Sequence, residues 1–104
     1  GNPELNNPED LFVASVVGCH MLTFLAVASI KKFTVDLYTD NAEGFLEKDS
    51  SGKMVMNRII LRPQIVFSGS HKPTTEELAA LHEKAHNGCF IANSIKSTVI
   101  IEQQ

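Results

Sequence analysis

The sequence has no tryptophan and a single tyrosine, which leaves no aromatic platform on which nucleic-acid bases could stack. Basic residues are also scarce. Nine Lys and Arg against twelve Asp and Glu give a formal net charge of -3, and only Lys31 and Lys32 are adjacent. A nucleic-acid partner, which demands a basic face, is therefore not expected. Two cysteines are too few for a disulfide scaffold and cannot build a four-cysteine zinc site. They leave three readings open: inert buried thiols, one structural disulfide, or a redox pair. The chain opens Gly-Asn-Pro-Glu-Leu-Asn with no basic n-region, so no signal peptide is read and a cytoplasmic location is expected.

Charge is missing altogether from Leu11 to Ile30. A run of this length is long enough to span a bilayer. His20 in its middle, with Ser15, Thr23 and Ser29 around it, argues for a core helix instead, and no membrane association is expected. A helix of about 20 residues is ~30 Å long. A domain of this size has a radius of gyration of about 13 Å, so such a helix crosses its whole width. A helix apolar on nearly all sides must be covered on nearly all sides. One small sheet covers one face, and a second copy of the chain is expected to cover another.

The 104 residues suffice for one domain, residues 1–104. Residues 1–7 read as polar turn material. Asn7 is placed to cap the helix, Pro8 fits its first position, and Glu9 and Asp10 suit the positive end of its dipole. Phe33 to Tyr38 alternates like a strand, with Phe33, Val35 and Leu37 inward. Asp49-Ser50-Ser51-Gly52 signals a hairpin turn. Val55 to Phe67 reads as one strand, with Val55, Ile59, Leu61, Ile65 and Phe67 on one face and Arg58 and Arg62 on the other. Pro63 implies an edge or a bulge there. Thr74-Thr75-Glu76-Glu77 forms a capping box ahead of a second helix that runs to about Asn87. Gly88 is its expected C-cap. A short turn over 90–95 and a closing strand over 97–102 complete an α+β order of helix, two strands, helix, strand.

His82-Glu83-Lys84-Ala85-His86 matches the H-E-x-x-H zinc motif, in which two imidazoles at i and i+4 face one way. No third His or Asp follows His86, and no metal is expected. Arg58 and Arg62 could bind an anion or stand near a thiol, but such residues more often solvate an outer face. Cys19 lies mid-helix between Gly18 and His20, where burial raises a thiol pKa unless a cation is close. Cys89 follows the stop of the second helix, 70 residues further on.

Three blocks carry a resemblance. Asn7-Pro8-Glu9-Asp10-Leu11, followed by a small-residue-rich helix ending Gly18-Cys19, is similar to the N-P-E-[ED]-L…C signature of the OsmC/Ohr family. Arg58-Ile59-Ile60-Leu61-Arg62-Pro63 resembles its R-I-x-L-R-P strand. His82 to Cys89 resembles its second-cysteine block, H-x-x-A-H-x-x-C, continued by Phe90-Ile91-Ala92-Asn93-Ser94. The resemblance spans most of the chain in the family's order. It implies an α+β fold in which a long buried central helix packs on an antiparallel sheet within an intertwined homodimer. It implies a thiol-dependent peroxidase acting on organic hydroperoxides or hydrogen peroxide. Cys19 would be the peroxidatic thiolate and Cys89 the resolving thiol. No cofactor is implied beyond an external thiol reductant, such as a lipoyl-type dithiol. Glu9 would hold an arginine over the nucleophile. Glu9 and Cys19 are separated by about 15 Å of helix, so Glu9 would serve the Cys19 of a second copy. Members usually carry an N-terminal strand segment that supplies the arginine, and that arginine is missing from its matched position here. The alternative is a non-enzymatic member, a dimeric small-molecule binding or redox-sensing domain.

Overall fold

The computed structural model describes residues 7–104, and the turn material expected before Asn7 lies outside them. Helix α1 spans Pro8–Ile30. It starts where local chemistry dictates. The Asn7 Oδ1 accepts the N–H groups of Glu9 at 2.9 Å and Asp10 at 3.3 Å, two donors that a helix start otherwise leaves unpaired. It stops in a Schellman turn. Lys32 adopts φ 66, its N–H donates to Ser29 O at 2.9 Å, and the Phe33 N–H donates to Ala28 O at 2.9 Å.

Residues Val16, His20, Phe24 and Ala28 of α1 are fully buried. They recur every fourth residue and form one stripe. Leu11, Leu22 and Ile30 stay exposed, so a single chain covers only one side of this uniformly apolar helix. Among the described residues, α1 is long and apolar enough to cross a membrane. The core helix of a soluble protein passes the same test.

The remaining elements are β1 (Thr34–Asp40), β2 (Glu43–Lys48), β3 (Met54–Leu61), β4 (Pro63–Ser68), α2 (Thr75–Asn87), α3 (Phe90–Ser94) and β5 (Thr98–Ile101). They form two sheets, β1-β4 and β2-β3-β5. The pairs β1/β4 and β2/β3 are antiparallel, whereas β5 runs parallel to β3. The Asp49 turn falls where expected, closed by Asp49 Oδ1 accepting from the N–H groups of Ser51 at 2.8 Å and Lys53 at 3.0 Å.

Three strand expectations need correction. The single strand over Val55–Phe67 is two strands in different sheets, because Pro63 has no N–H to continue the β3 ladder. The segment Glu43–Lys48, unassigned from the sequence, is β2 and pairs with β3 from Met54 to Ile60. Leu37 points outward, 54% exposed, because the ladder with β4 slips between Val35 and Leu37. A bulge reverses the in/out parity beyond it, and Tyr38 takes the inward place, packed against the Phe24 cluster.

Two apolar clusters flank the middle of α1. One gathers Phe24, Ala28, Phe33, Leu81 and Ala85, with Tyr38, Ile65 and Phe67 packed on it. The other gathers Val16, Ile59 and Leu61, with Ile91, Ile95 and Val99 packed on it. The chain crosses between the sheets through the helices α2 and α3, and through two short passages, Asn41-Ala42 and Arg62. Arg62 clasps both passages. Its backbone N–H donates to Asp40 Oδ1 at 2.8 Å, and its guanidinium donates to Asn41 O, Glu43 and Glu102.

Candidate functional site

Helix α2 begins with a full capping box. The Thr74 hydroxyl accepts the Glu77 N–H at 3.1 Å, and the Glu77 carboxylate accepts the Thr74 N–H at 2.9 Å. It ends at Gly88, which caps it as the sequence suggested. The next residue, Cys89, caps α3, and its Sγ accepts the Ala92 N–H at 3.5 Å. This short helix carries the second sulfur back to α1.

Cys19 and Cys89 are both free thiols, and they meet. Burial pushes the Cys19 thiol up, but its neighbours oppose it, the Cys89 thiol first and then the backbone N–H groups of Ile91 and Phe90, with the Thr23 hydroxyl, which donates to Cys19 O at 2.8 Å, close by. The balance holds Cys19 below the ordinary thiol range. Cys89 goes the other way. Burial raises it first, and the hydrogen bond to Cys19 raises it further. The two sulfurs are therefore unequal. Cys19 is poised to be the thiolate, and Cys89, only 1% exposed, is the proton-bearing partner. The donors at Phe90, Ile91 and Ala92 are first-turn N–H groups that a helix cannot use itself.

Among the described residues, no charged side chain takes part in lowering Cys19. Arg58 lies 4.2 Å over the Phe45 ring and pairs with Glu47 at 3.0 Å. Arg62 is committed to the passage between the sheets. Neither arginine turns toward the thiol. Glu9 is exposed in the first turn of α1, ten residues of unbroken helix from Cys19, and the structure does not bring it to the sulfurs of its own chain.

The H-E-x-x-H residues do different work. His82 Nδ1 lies 3.1 Å from His20 Nε2, with ring centroids 5.3 Å apart and planes 10° from parallel. Both rings are buried, at 1% for His20 and 4% for His82. Burial depresses each to about 4, helped at His20 by its neighbours His82 and His86. The pair is thus neutral at physiological pH, and one N–H bridges the two rings. Among the described residues, no group of three or more His, Cys, Asp or Glu is arranged to hold a metal ion. The sequence showed His82 as part of a spacing motif. It carried no local sign of the partner His20, 62 positions away.

The model of the OsmC-like protein family matches residues 1–104. Among curated protein sequences none matches. The solved structure of an OsmC-like protein of unknown function from Vibrio cholerae is 48% identical, with a TM-score of 0.92 over 93% of this chain. The chain spans 63% of the length of that protein. An organic hydroperoxide resistance protein from Legionella pneumophila is 25% identical, with a TM-score of 0.73, covering 93% of this chain and 66% of that one. One from Bacillus subtilis, at 22% identity and a TM-score of 0.75 over 94% of this chain and 70% of its own, shares the fold. With the family signature matched along its whole length, and a long helix packed on two sheets as in these structures, the chain belongs to the OsmC-like family.

Proposed function

We propose that this chain performs thiol-dependent reduction of organic hydroperoxides or hydrogen peroxide, in defence of the cytoplasm against oxidative stress. The observation that carries this reading is the unequal thiol pair. One sulfur is lowered toward the thiolate, and the other lies in contact with it, still protonated. A hydroperoxide resistance protein 25% identical to this chain supports the same reading.

The Cys19 thiolate attacks one peroxide oxygen and the O–O bond breaks. Cys19 becomes a sulfenic acid, and the leaving alkoxide departs as the alcohol with the proton that Cys19 had released. The Cys89 thiol then attacks the sulfenic sulfur. An S–S bond forms, the S–O bond breaks, and water leaves with the Cys89 proton. An external dithiol of the lipoyl type returns the pair to the thiol state by exchange and departs as its own disulfide.

A second copy of the chain belongs to this proposal. It would cover the side of α1 that leaves Leu11 and Leu22 exposed, and it would bring its Glu9 to this Cys19. Among the described residues a Cβ at Gly18 would meet nothing within 4 Å, so none of them requires glycine beside Cys19. Close approach of a second chain would. Sedimentation at micromolar concentration should show a dimer, and Leu22→Glu should dissociate it. A second reading, a dimeric binding or redox-sensing domain, is favoured by one observation: both candidate arginines are engaged away from Cys19.

One equivalent of cumene hydroperoxide followed by thiol counting separates the two. The parent chain should lose two thiols and gain a Cys19–Cys89 disulfide. Cys89→Ser should stop at the sulfenic acid, and Cys19→Ser should consume no peroxide. Peroxide consumption by Cys19→Ser at the parent rate would end the peroxidase reading.

A further inference from the structure

The helix that carries Cys19 meets the α2–α3 segment through two polar side-chain contacts: sulfur to sulfur at Cys19 and Cys89, and imidazole to imidazole at His20 and His82. The two contacts are adjacent in sequence on α1 and seven residues apart on the other segment. Between them, Thr23 lies against Gly88, where a Cβ would come within 3.3 Å of its methyl. We propose that the His20–His82 pair positions the thiols, fixing the rotation of α1 against α2 so that the Cys19 sulfur stays on Cys89 and on the N–H groups of Phe90 and Ile91. The proposal rests on the thiol-pair chemistry above but adds a role for two residues outside it.

The physical argument concerns what else could fix that rotation. The packing around Phe24, Ala28, Leu81 and Ala85 is apolar, and apolar contact is non-directional. Such a surface sets how near two helices lie far better than how they are turned. A hydrogen bond weakens steeply once its angle closes, and this one is buried, with no water to replace it. Rotation of α1 by a small angle would break it and leave two imidazoles unpaired in the core. The bond is also dependable. With burial holding both rings at about 4, the pair stays neutral across the range in which a thiol peroxidase works. Among the described residues, the remaining ring atoms, His20 Nδ1 and His82 Nε2, are buried without a hydrogen-bond partner. The inter-ring bond is thus the polar contact that either ring makes with those residues.

Cys19 needs that precision more than an ordinary core residue does. Its lowered state depends on the Cys89 thiol and the Ile91 and Phe90 N–H groups standing around one sulfur, and all three come from the other segment. A shift of about 1 Å in such an arrangement can slow a reaction as much as a hundredfold.

The test uses the full chain and two readouts that do not require peroxide. The first is the pH profile of Cys19 alkylation by iodoacetamide in a Cys89→Ser background. The second is the rate at which diamide closes the Cys19–Cys89 disulfide in the otherwise unaltered chain. In that reaction two thiols give up two electrons and two protons to the N=N bond, forming a disulfide and a hydrazine. The double variant His20→Leu/His82→Leu replaces both partners with apolar groups, which preserves a packed core. His82→Gln keeps a group able to bond His20. The double variant should fold, alkylate with a midpoint at higher pH than its Cys89→Ser parent, and close its disulfide about tenfold or more slowly. His82→Gln should recover most of both. A folded double variant with the parent's alkylation profile and closing rate would overturn the proposal. So would a His82→Gln chain as impaired as the double variant. A parent that closes its disulfide with diamide yet ignores peroxide would remove the peroxidase reading and leave the positioning role standing.

Discussion

The half of the molecule built on β1 and β4 is closed by α2, a helix of 13 residues, and the half built on β2, β3 and β5 is closed by α3, a helix of five. The first half is aromatic. The Phe67 ring meets Phe24 tilted and Phe33 edge-on, with Tyr38 edge-on to Phe24. The second is mainly aliphatic, with Val16, Ile59 and Leu61 fully buried and Ile91, Ile95, Val99 and the ring of Phe12 only partly so. The histidine pair belongs to the first half, since the His82 ring lies 4.7 Å from that of Phe24. Cys89 belongs to the second, because it caps the short helix. Aromatic packing therefore lies beside the histidine pair, and a thin cover lies over Cys89. The proposed thiol chemistry would use this division, since the pair would have to hold still to ionise and then move to form a bond.

The sharpest way to break this comparison is to weaken each half in turn. Phe24→Ala should cost about 3–5 kcal/mol in urea unfolding, as deletion of a buried aromatic ring does. Ile91→Ala, under the thin cover, should cost about 1–2 kcal/mol, because less surface is lost. Equal costs would show that the two halves are packed alike. Arg62→Ala comes next. It should lower the unfolding midpoint and, if the clasp is what makes the halves unfold together, reduce the steepness of the transition. An unchanged midpoint would relieve Arg62 of that role.

A pH series probes the boundary between the halves. His20 and His82 are depressed from 6.5 to about 4 by burial. Between those values the unfolded chain binds protons that the folded chain refuses, so their contribution to stability is complete above about pH 6.5 and is lost as the pH falls toward about 4. Over that window the parent should lose more stability than the His20→Leu/His82→Leu chain, whose core has nothing to protonate. Parallel curves would mean that the pair does not titrate as a buried group. The smallest effect is expected at Arg58→Met. With both partners about 40% exposed, the Arg58–Glu47 pair lies in water that screens it, and the midpoint should hardly move.

What the sequence made legible was what local chemistry decides. Asn7 to Asp10 announces the start of α1, Thr74 to Glu77 the start of α2, and Asp49 to Gly52 the hairpin, each through bonds a few residues long. β2 was missed because Glu43-Gly44-Phe45-Leu46 has neither a clean alternation nor β-branched residues, and it becomes a strand only by pairing with β3. The outward turn of Leu37 comes from a slip against β4, a partner almost thirty positions away. Pro63 warned of an interruption but not that the chain would change sheets there. In the site, family motifs singled out both cysteines, and the fold puts them side by side. The imbalance between them arises first from the contact of the two thiols and then from N–H groups at Ile91 and Phe90, which no side-chain pattern advertises. The bond between His20 and His82 belongs wholly to the tertiary fold.

The close approach of α1 to β2 constrains how this sequence can drift over generations. A Cβ at Gly44 would stand 2.5 Å from the end of Met56 and 2.6 Å from a methyl of Val13. Met56 ends in a flexible thioether and can swing aside. Val13 is β-branched on a helix and has almost no rotamer to which it can retreat. Any lineage that replaces Gly44 must therefore shorten Val13 first. Val13→Ala followed by Gly44→Ala is a passable route, and the reverse order runs through an intermediate that cannot pack. The order of two substitutions is thus written into one missing methyl group.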